Sequence, residues 1–378
     1  MLPTLIFCLS LLVVALAIPP IIKVSFQKRL FDDPSESRKV HKRIVPNFGG
    51  VAIFTSFLFA CSLFISPKLL PEGNMILAAG LILFMTGLKD DLVGLSPLIK
   101  FVAQFASALI ITVMADLRIS DLHGTFGIGE FSYISSVIFT VIFIVGIVNA
   151  YNLIDGIDGL AAMLGIIFSL SYSVLFYQAG ELGWAYLSLS LTGGLVGFLF
   201  FNLTPAKIFM GDSGSLILGF LASIFTIKLM MVSHSHIVML GPLEITSAAG
   251  LVLSILIIPI FDTLRVFALR IIANRSPFTA DSNHLHHRLL FLGLSHVQST
   301  FILAVCNVLF IVIFLCLQFL GNTAVICILV TTILTANGAL SLYIERYKAR
   351  LFAYADAQKS DPPKKSFGER IIEKLSEN

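Results

Sequence analysis

Residues 137–160 read VIFTVIFIVGIVNAYNLIDGIDGL, and this stretch decides the fold. An apolar run, Val137–Val148, is followed by two asparagines, two aspartates and two glycines, and a second apolar run begins at Leu160. Together with their flanking residues, apolar runs of this length suit helices that cross a bilayer. Amide and carboxylate groups between two such helices are energetically costly unless a functional site requires them. The stretch therefore predicts two transmembrane helices and a functional loop between them.

The whole chain has the composition of a membrane protein. Its 378 residues are 57% hydrophobic and only 12% charged, with a mean hydropathy of +0.95. Soluble domains carry about 25% charged residues, so an unusual core does not explain the deficit. We predict an all-α polytopic membrane protein whose catalytic domain, residues 1–343, precedes a polar tail, 344–378. Windows of roughly 20 apolar residues place eleven spans at 2–22, 47–66, 74–89, 97–115, 132–151, 159–178, 183–201, 213–231, 245–268, 299–319 and 323–343.

Lysine and arginine are distributed unequally between the two sides of these spans. All of the 25 basic residues except Lys68, Arg118 and Lys228 fall on one side. Basic loops stay in the cytoplasm, so we predict an outer N-terminus and a cytoplasmic C-terminus. The outer loop at 116–131 alternates around Gly124 and predicts a small hairpin.

Five polar clusters lie at the predicted cytoplasmic ends of the spans. The first contains Lys42 and Asn47 and suits phosphate, although it is also explained as the positive-inside signal. The second contains Asp90 and Asp91, with Lys100 at the start of the next helix. Adjacent carboxylates at a membrane boundary repel each other and favour a bound cation; a simple polar turn is the alternative. A lysine there opposes the helix dipole, so an anionic ligand or the aspartate pair explains it better.

The third cluster is the loop of the opening stretch. Asn149 and Asn152 are spaced by three residues, as are Asp155 and Asp158, so these groups share one face if the helix continues. Four amide and carboxylate groups on one face suit a hard cation and the ribose or base of a nucleotide.

The fourth and fifth clusters complete the predicted site. Asp212 lies just ahead of an apolar span, where it predicts a helix N-cap that is compatible with a metal–phosphate pair. The fifth cluster contains three histidines beside an arginine, which suits zinc or a diphosphate; hard ligands elsewhere favour the diphosphate. Just upstream, Asp262 and Arg265 predict an internal ion pair near a kink. The members of the fifth cluster are His284, His286, His287 and Arg288.

Together these clusters indicate phosphoryl transfer onto a lipid phosphate. Oxygen ligands predict Mg²⁺, with Mn²⁺ as the alternative, and the basic groups predict a polyanion. A site at the membrane boundary predicts one soluble and one lipid substrate. The chain has no Walker A motif and predicts no nucleic-acid partner. A transporter of an anionic solute is the competing class, but it would place polar groups near the bilayer midplane.

Four motifs resemble the polyprenyl-phosphate N-acetylhexosamine-1-phosphate transferase family. They are KDDLVGL at 89–95, NAYNLIDGIDG at 149–159, KIFMGDSGS at 207–215 and HLHHRLLFLGLSH at 284–296. The order of the motifs and the predicted topology also agree with the family, over residues 1 to 343. The resemblance implies that undecaprenyl phosphate attacks a UDP-N-acetylhexosamine in a bacterial inner membrane, at a site facing the cytoplasm. A homodimer is compatible with the sequence.

The resemblance also implies a role for each polar residue. Asp212 and Asn152 are expected to bind the metal. Asp90 and Asp91, with Lys100, are expected at the metal–diphosphate and lipid-phosphate end. Lys42 and Asn47 are expected near the uridine. Asp155 and Asp158 are expected to position the nucleotide or to take part in catalysis, and Asn149 is expected to bind substrate. The loop residues expected to contact the sugar diphosphate are His284, His286, His287 and Arg288.

The histidine motif distinguishes branches of the family. The form His284-Leu-His-His resembles the undecaprenyl-phosphate N-acetylglucosamine-1-phosphate transferases. The phospho-N-acetylmuramoyl-pentapeptide transferases of peptidoglycan synthesis carry three adjacent histidines, a run that Leu285 interrupts here. The eukaryotic dolichol branch replaces both aspartates of the DGxDG motif, whereas this chain keeps them. The sequence therefore favours N-acetylglucosamine, with the peptidoglycan branch as the alternative.

Overall fold

The chain is helical almost throughout. A computed structural model describes residues 1–30, 45–235, 238–276 and 283–360. A π-helical turn, Ile110–Met114, extends the fourth helix, and one short hairpin pairs β1 (Val238–Leu240) with β2 (Leu243–Ile245). The helices are α1 (Leu2–Lys28), α2 (Gly49–Phe64), α3 (Gly73–Val93), α4 (Pro97–Leu109), α5 (Tyr133–Ile154), α6 (Leu160–Gln178), α7 (Leu182–Asn202), α8 (Gly211–Ser235), α9 (Ala248–Ile272), α10 (Leu285–Phe291), α11 (His296–Leu317) and α12 (Asn322–Ser360).

Each of the eleven predicted spans coincides with one of these helices. Within the described ranges, nine helices are long and apolar enough to cross a membrane. The helix α2 is apolar but has only 16 residues, and α3 ends in the charged sequence Lys89-Asp90-Asp91. The all-α polytopic architecture is therefore confirmed, while the number eleven and the orientation stay predictions.

The chain divides into two compact units, Met1–Val330 and Thr331–Asn378. The first contains every helix up to the beginning of α12. The described part of the second is the remainder of α12, as far as Ser360. The predicted boundary between catalytic domain and tail, at residue 343, stays a prediction, and residues 361–378 lie outside the described residues.

The helix α8 lies at the centre of the first unit. It packs against α2, α3 and α5, and almost all of it is buried. Phe225 of α8 contacts an aromatic group that α6 and α7 contribute. Because the core surrounds α8, its N-terminus at Gly211 is the point where α3 and α5 bring their polar ends together.

A glycine in α3 permits the close approach to α8. A Cβ atom at Gly87 would lie 2.5 Å from the carbonyl carbon of Asp212 and 2.5 Å from the backbone nitrogen of Ser213. Backbone atoms inside a packed helix cannot yield as a flexible side chain would. The absence of a side chain at Gly87 therefore sets the distance between α3 and the start of α8, and with it the position of Asp90 and Asp91.

We expect Gly87→Ala to destabilise the protein by about 1–3 kcal/mol and to reduce its activity severely, because overpacking would push α3 away from α8. The measurement is the thermal unfolding midpoint of the purified protein together with its turnover. Gly338→Ala is the matched control, since nothing lies within 4 Å of a Cβ at that position of α12. There alanine should be neutral or should stabilise the helix by up to about 1 kcal/mol. Equal behaviour of the two variants would contradict the packing argument.

The hairpin predicted at 116–131 is wrong in position. That loop contains a single 3₁₀ turn, Thr125–Gly127, and the two-stranded hairpin lies instead in the loop between α8 and α9. The reason is that helices satisfy the backbone of the first loop. The backbone nitrogen of Ile119 donates to the Thr140 hydroxyl, and the carbonyl of Ile119 accepts from the Ser136 hydroxyl.

Candidate active site

The N-terminus of α8 is capped by a side chain from another helix. The Asp91 carboxylate of α3 accepts hydrogen bonds from the backbone nitrogens of Asp212, at 2.7 Å, and Ser213, at 3.0 Å. The predicted N-cap role of Asp212 is therefore wrong, because Asp212 lies inside the first turn of α8. Gly211 precedes it with a φ of 71°, a conformation that favours glycine. With the cap supplied by Asp91, the Asp212 side chain is available for other contacts.

Lys100 bridges two carboxylates from different helices. Its Nζ lies 2.8 Å from Asp90 Oδ2 and 2.6 Å from Asp212 Oδ2. The other oxygen of Asp90 accepts from the backbone nitrogen of Leu95, which fixes the turn between α3 and α4. The carboxylates of Asp90 and Asp212 thus explain why a lysine occupies the first turn of α4. The two aspartates also differ in role, since Asp90 contacts the lysine and Asp91 caps α8.

The two asparagines of α5 face different environments. Asn152 Nδ2 donates to Asp212 Oδ1 and to Ser215 Oγ, each at 3.0 Å. Asn149 Nδ2 donates instead to Gln104 Oε1 of α4 and to its own helix at Val145, each at 2.7 Å. One helical turn separates the two residues, and the helix ends at Ile154, so the four groups of this motif do not share one face.

A polar cavity of about 270 Å³ opens beside the start of α8. It unites residues from all three of the central motifs and from the segment before α2. The cavity is lined by Asn47, Asp91, Asn152, Asp155, Gly156, Ile157, Asp158, Asn202, Phe209, Gly211, Asp212 and Ser215. The second, third and fourth polar clusters of the sequence therefore meet in one site.

Asn47 reaches this cavity because backbone hydrogen bonds join its segment to the segment before α8. The backbone nitrogen of Phe209 donates to Pro46, and that of Gly49 donates back to Phe209, each at 2.9 Å. A Cβ at Gly211 would overlap the carbonyl oxygen of Asn47. Lys42, which the sequence places beside Asn47, lies outside the described residues.

Asp158 is held by several partners that the sequence did not indicate. Its carboxylate accepts from the Thr204 hydroxyl at 2.8 Å, and its other oxygen lies 3.3 Å from His296 Nδ1. The Thr300 hydroxyl donates to its carbonyl oxygen. The side chain is buried, so Asp158 ties the loop after α5 to α11 and to the segment before α8. His296 ends the histidine motif, and its position there was the available signal.

Asp155 occupies the cavity between other acids. Burial, together with the like charges of Asp212, Asp91 and Asp158, raises the pKa of the Asp155 carboxyl to about 7. A carboxyl whose pKa is raised in the folded protein is destabilising once it ionises there. The group therefore favours either a proton or a cation as its partner.

Asp155→Asn should stabilise the metal-free protein, and more at pH 8 than at pH 5.5. Between the unfolded pKa near 4 and the folded pKa near 7, the folded state binds more protons, so its stability falls as pH rises. Relative to a pH below both pKa values, the ionisation of Asp155 lowers the free energy of unfolding of the wild type by about 4 kcal/mol at pH 8. Thermal unfolding in a chelator at both pH values measures it, and Asp116→Asn serves as the control at an exposed site. A variant whose gain is independent of pH would contradict the expectation.

The segment that carries the histidine motif, residues 284–296, is here called the histidine loop, and a buried acid anchors it to α9. Asp262, 1% exposed, accepts from the backbone nitrogen of Leu285 at 2.8 Å and pairs with His284 Nδ1 at 2.9 Å. Arg265 contacts Asp262 at 3.2 Å and also donates to the carbonyl of Asn283. The predicted Asp262–Arg265 pair is confirmed, and it holds the histidine loop as well.

His286 faces the loop that follows α5. A Cβ at Gly156 would overlap His286 Nε2, so the imidazole packs directly on this glycine. The ring is 1% exposed, and neither of its nitrogens has a hydrogen-bond partner within the described residues. Burial, with His287 beside it, lowers the pKa of His286 to about 3, so the ring is neutral at physiological pH. Its ring centroid is 4.3 Å from that of His287, and Arg288 follows in α10.

The donor set at the cavity fits a magnesium ion. Within the described ranges, no three His, Cys, Asp or Glu side chains form a cluster able to hold a metal alone. Magnesium, however, usually binds through one or two carboxylates together with substrate phosphates. Asp212 offers a carboxylate next to the Asn152 amide, and Asp155 adds a second acid whose pKa is raised by burial and by the like charges around it. These residues would hold the ion.

An apolar groove of about 460 Å³ lies on the other side of α5. Asn149 is the polar amide in its wall. The helices α4, α5 and α9 form the groove, and the lining residues are Phe101, Phe105, Ile142, Phe143, Val145, Gly146, Ile147, Asn149, Ala150, Ile260, Thr263, Leu264 and Phe267. The groove and the polar cavity are thus separated by the last turns of one helix.

Comparison with known proteins identifies the family. The glycosyl transferase family 4 profile matches residues 74–230. The chain is 36% identical to a Bacillus subtilis protein over 313 aligned residues. The alignment covers 80% of this chain and 82% of that protein. The chain belongs to glycosyl transferase family 4. The relative is named "probable undecaprenyl-phosphate N-acetylglucosaminyl 1-phosphate transferase".

Other members of family 4 resemble the chain over a similar extent. A Mycobacterium tuberculosis decaprenyl-phosphate N-acetylglucosaminephosphotransferase is 36% identical over 278 residues, 68% of this chain and 69% of the relative. An Escherichia coli undecaprenyl-phosphate alpha-N-acetylglucosaminyl 1-phosphate transferase is 27% identical over 287 residues, 73% of each chain. The family predicted from the four motifs is confirmed. The names of these relatives favour the N-acetylglucosamine branch over the peptidoglycan branch.

Proposed function

We propose that this protein transfers N-acetylglucosamine-1-phosphate from UDP-N-acetylglucosamine to undecaprenyl phosphate. An oxygen of the lipid phosphate attacks the β-phosphorus of the nucleotide sugar, and the bond from that phosphorus to the bridging oxygen breaks. UMP leaves, and undecaprenyl-diphospho-N-acetylglucosamine remains in the membrane, where it would begin a cell-surface polysaccharide.

The juxtaposition of a polar cavity and an apolar groove on one helix supports this proposal most directly. Asn152 of α5 lines the cavity, and Asn149, one turn earlier, lines the groove. A prenyl chain in the groove would bring its phosphate to the end of α5, beside Lys100 and Asp212. The nucleotide sugar would occupy the cavity from the side of Asn47 and the histidine loop. The two substrates thus approach from the membrane and from the solvent.

Positioning and charge stabilisation carry the reaction in this scheme. The lipid phosphate is already largely ionised near neutral pH, so no side chain has to remove a proton from it. Lys100 is held between Asp90 and Asp212, where its ammonium would orient the attacking phosphate. His286 would hydrogen-bond the diphosphate as a neutral ring. Mg²⁺, or Mn²⁺ in its place, would neutralise charge on the diphosphate when bound by Asp212 and Asn152.

The predicted topology gives this site its location. With basic loops in the cytoplasm, the ends of α3 and α5 and the start of α8 face the cytoplasm, where UDP-sugars are available. We therefore place the enzyme in the bacterial inner membrane with its active site on the cytoplasmic side.

The experiment that tests the proposal measures both products. Purified protein in nanodiscs is incubated with Mg²⁺, undecaprenyl phosphate and a panel of UDP-sugars, and released UMP is measured beside the mass of the lipid. We expect UMP release only when both substrates are present, with a lipid that carries N-acetylhexosamine diphosphate. Preference for the UDP-linked muramoyl pentapeptide would support the peptidoglycan branch instead. In proteoliposomes, uptake of the UDP-sugar without UMP release would support the transporter.

A further inference from the structure

The helix α9 has two faces with different partners in its second half. Residues spaced by three and four form one face and line the apolar groove. Asp262 and Arg265 lie on the opposite face, where they hold the histidine loop through His284, Leu285 and Asn283. The residues on the groove face are Ile260, Thr263, Leu264 and Phe267.

A break in the backbone hydrogen bonding precedes this segment. Pro259 lies inside α9 and has no N–H to donate to the carbonyl of Ile255. The side chain of Asn307, from α11, donates to that carbonyl at 3.0 Å instead. A proline break of this kind is a common site of helix bending. The segment from Ile260 onward can therefore change its angle without losing a hydrogen bond of its own helix at that point.

We infer that α9 couples the two substrate sites, and that Asp262 is the positioning residue that transmits the coupling. A prenyl chain in the groove presses on one face of the segment after Pro259. The other face carries Asp262, so a change in the angle of this segment moves the histidine loop and shifts His286, whose ring packs on Gly156 while the groove is empty. Occupation of the groove by the acceptor thus raises affinity for the donor. The inference rests on the proposed function, because it takes the groove as the acceptor site and the histidine loop as part of the donor site.

The coupling is measured with a lipid that fills the groove and lacks the reacting phosphate. Undecaprenol is added to full-length protein in nanodiscs with Mg²⁺, and the Kd for UDP-N-acetylglucosamine is determined by calorimetry with and without it. We expect undecaprenol to lower this Kd by about fivefold or more in the wild type, the usual range for coupled sites. In Asp262→Asn, undecaprenol should no longer lower the Kd for UDP-N-acetylglucosamine. The Kd measured without undecaprenol should change by less than this fivefold factor.

Two further variants keep the result interpretable. Asp116→Asn makes the same chemical change in a distant loop and should retain the fivefold effect. If Asp262→Asn does not fold, Arg265→Gln carries the test, since it removes the Nη2 nitrogen that contacts both Asp262 and the carbonyl of Asn283. Coupling that survives in the folded Asp262 or Arg265 variant would overturn the inference, as would a wild type without coupling. A wild type that binds no UDP-N-acetylglucosamine would overturn the proposed function itself and the inference with it.

Discussion

Replacing Asp212 with alanine is expected to abolish transfer, with a loss of at least about 1000-fold in kcat, while the protein still folds and inserts. Asp212 is the residue at which three motifs meet. One of its oxygens contacts Lys100 and the other contacts Asn152. Its removal therefore takes away the proposed metal ligand and the partner that orients the lysine.

The fold should survive this change because the neighbours of Asp212 keep other partners. The backbone nitrogen of residue 212 still donates to Asp91, so the cap of α8 is retained. Lys100 keeps Asp90, and Asn152 keeps Ser215. The substitution therefore does not leave Lys100 without a counter-charge, and an unpaired buried charge is the usual source of severe destabilisation.

The measurement is UMP release at saturating substrates, together with the elution profile and thermal midpoint of each purified variant. Asn152→Ala should also abolish transfer, because it removes the second proposed ligand. Asp212→Asn separates charge from shape and should be nearly as inactive as alanine if the carboxylate binds Mg²⁺. Asp116→Ala is the control for loss of an acid elsewhere. Activity near the wild-type level in either Asp212→Ala or Asn152→Ala would remove the metal assignment.

Much of the site could be predicted because its chemistry is local in sequence. Asp90 and Asp91, Asn152 and Asp155, and Asp212 each lie beside an apolar run, so the end of a span fixes their depth. Once the spans alternate in direction, these groups must lie on the same side of the membrane. The structure places Asp91, Asn152, Asp155 and Asp212 around one cavity.

The division of labour could not be predicted, because it depends on how each helix is rotated and where it ends. Asn149 and Asn152 have helical spacing, yet Asn149 points to Gln104 and the groove. Asp91 and Asp212 are 121 residues apart, and only the packing at Gly87 makes one the cap of the other's helix. Composition and periodicity carry no information about such contacts.

Replacing His286 with alanine is expected to raise the KM for UDP-N-acetylglucosamine by about 10- to 150-fold and to change the KM for undecaprenyl phosphate much less. One hydrogen bond to a charged group contributes about 1.5–3 kcal/mol, which corresponds to that range. The ring packs on Gly156, a residue that lines the cavity, and neither of its nitrogens has a partner within the described residues, so a donor diphosphate is the group that we expect to satisfy them.

Stability should change little, because two effects oppose each other. Removing a buried side chain leaves a cavity, but it also removes two buried nitrogens that lack hydrogen bonds. His286→Asn restores one polar group in the same place and should recover part of the donor affinity. His234→Ala, a change to an exposed histidine in the last turn of α8, is the control and should leave both KM values unaltered.

The pH dependence of the loss identifies the form of His286 that acts. Its pKa of about 3 in the free protein means that the ring is neutral from pH 6.5 to 8.5, so the ratio of variant to wild-type KM should be constant over this range. A ratio that shrinks tenfold per pH unit toward pH 8.5 would indicate that the bound donor protonates the ring and that His286 acts as a cation. An equal rise in the KM of both substrates would contradict the assignment of His286 to the donor. The groove for the prenyl chain is lined by α4, α5 and α9, and the histidine loop is not part of its lining.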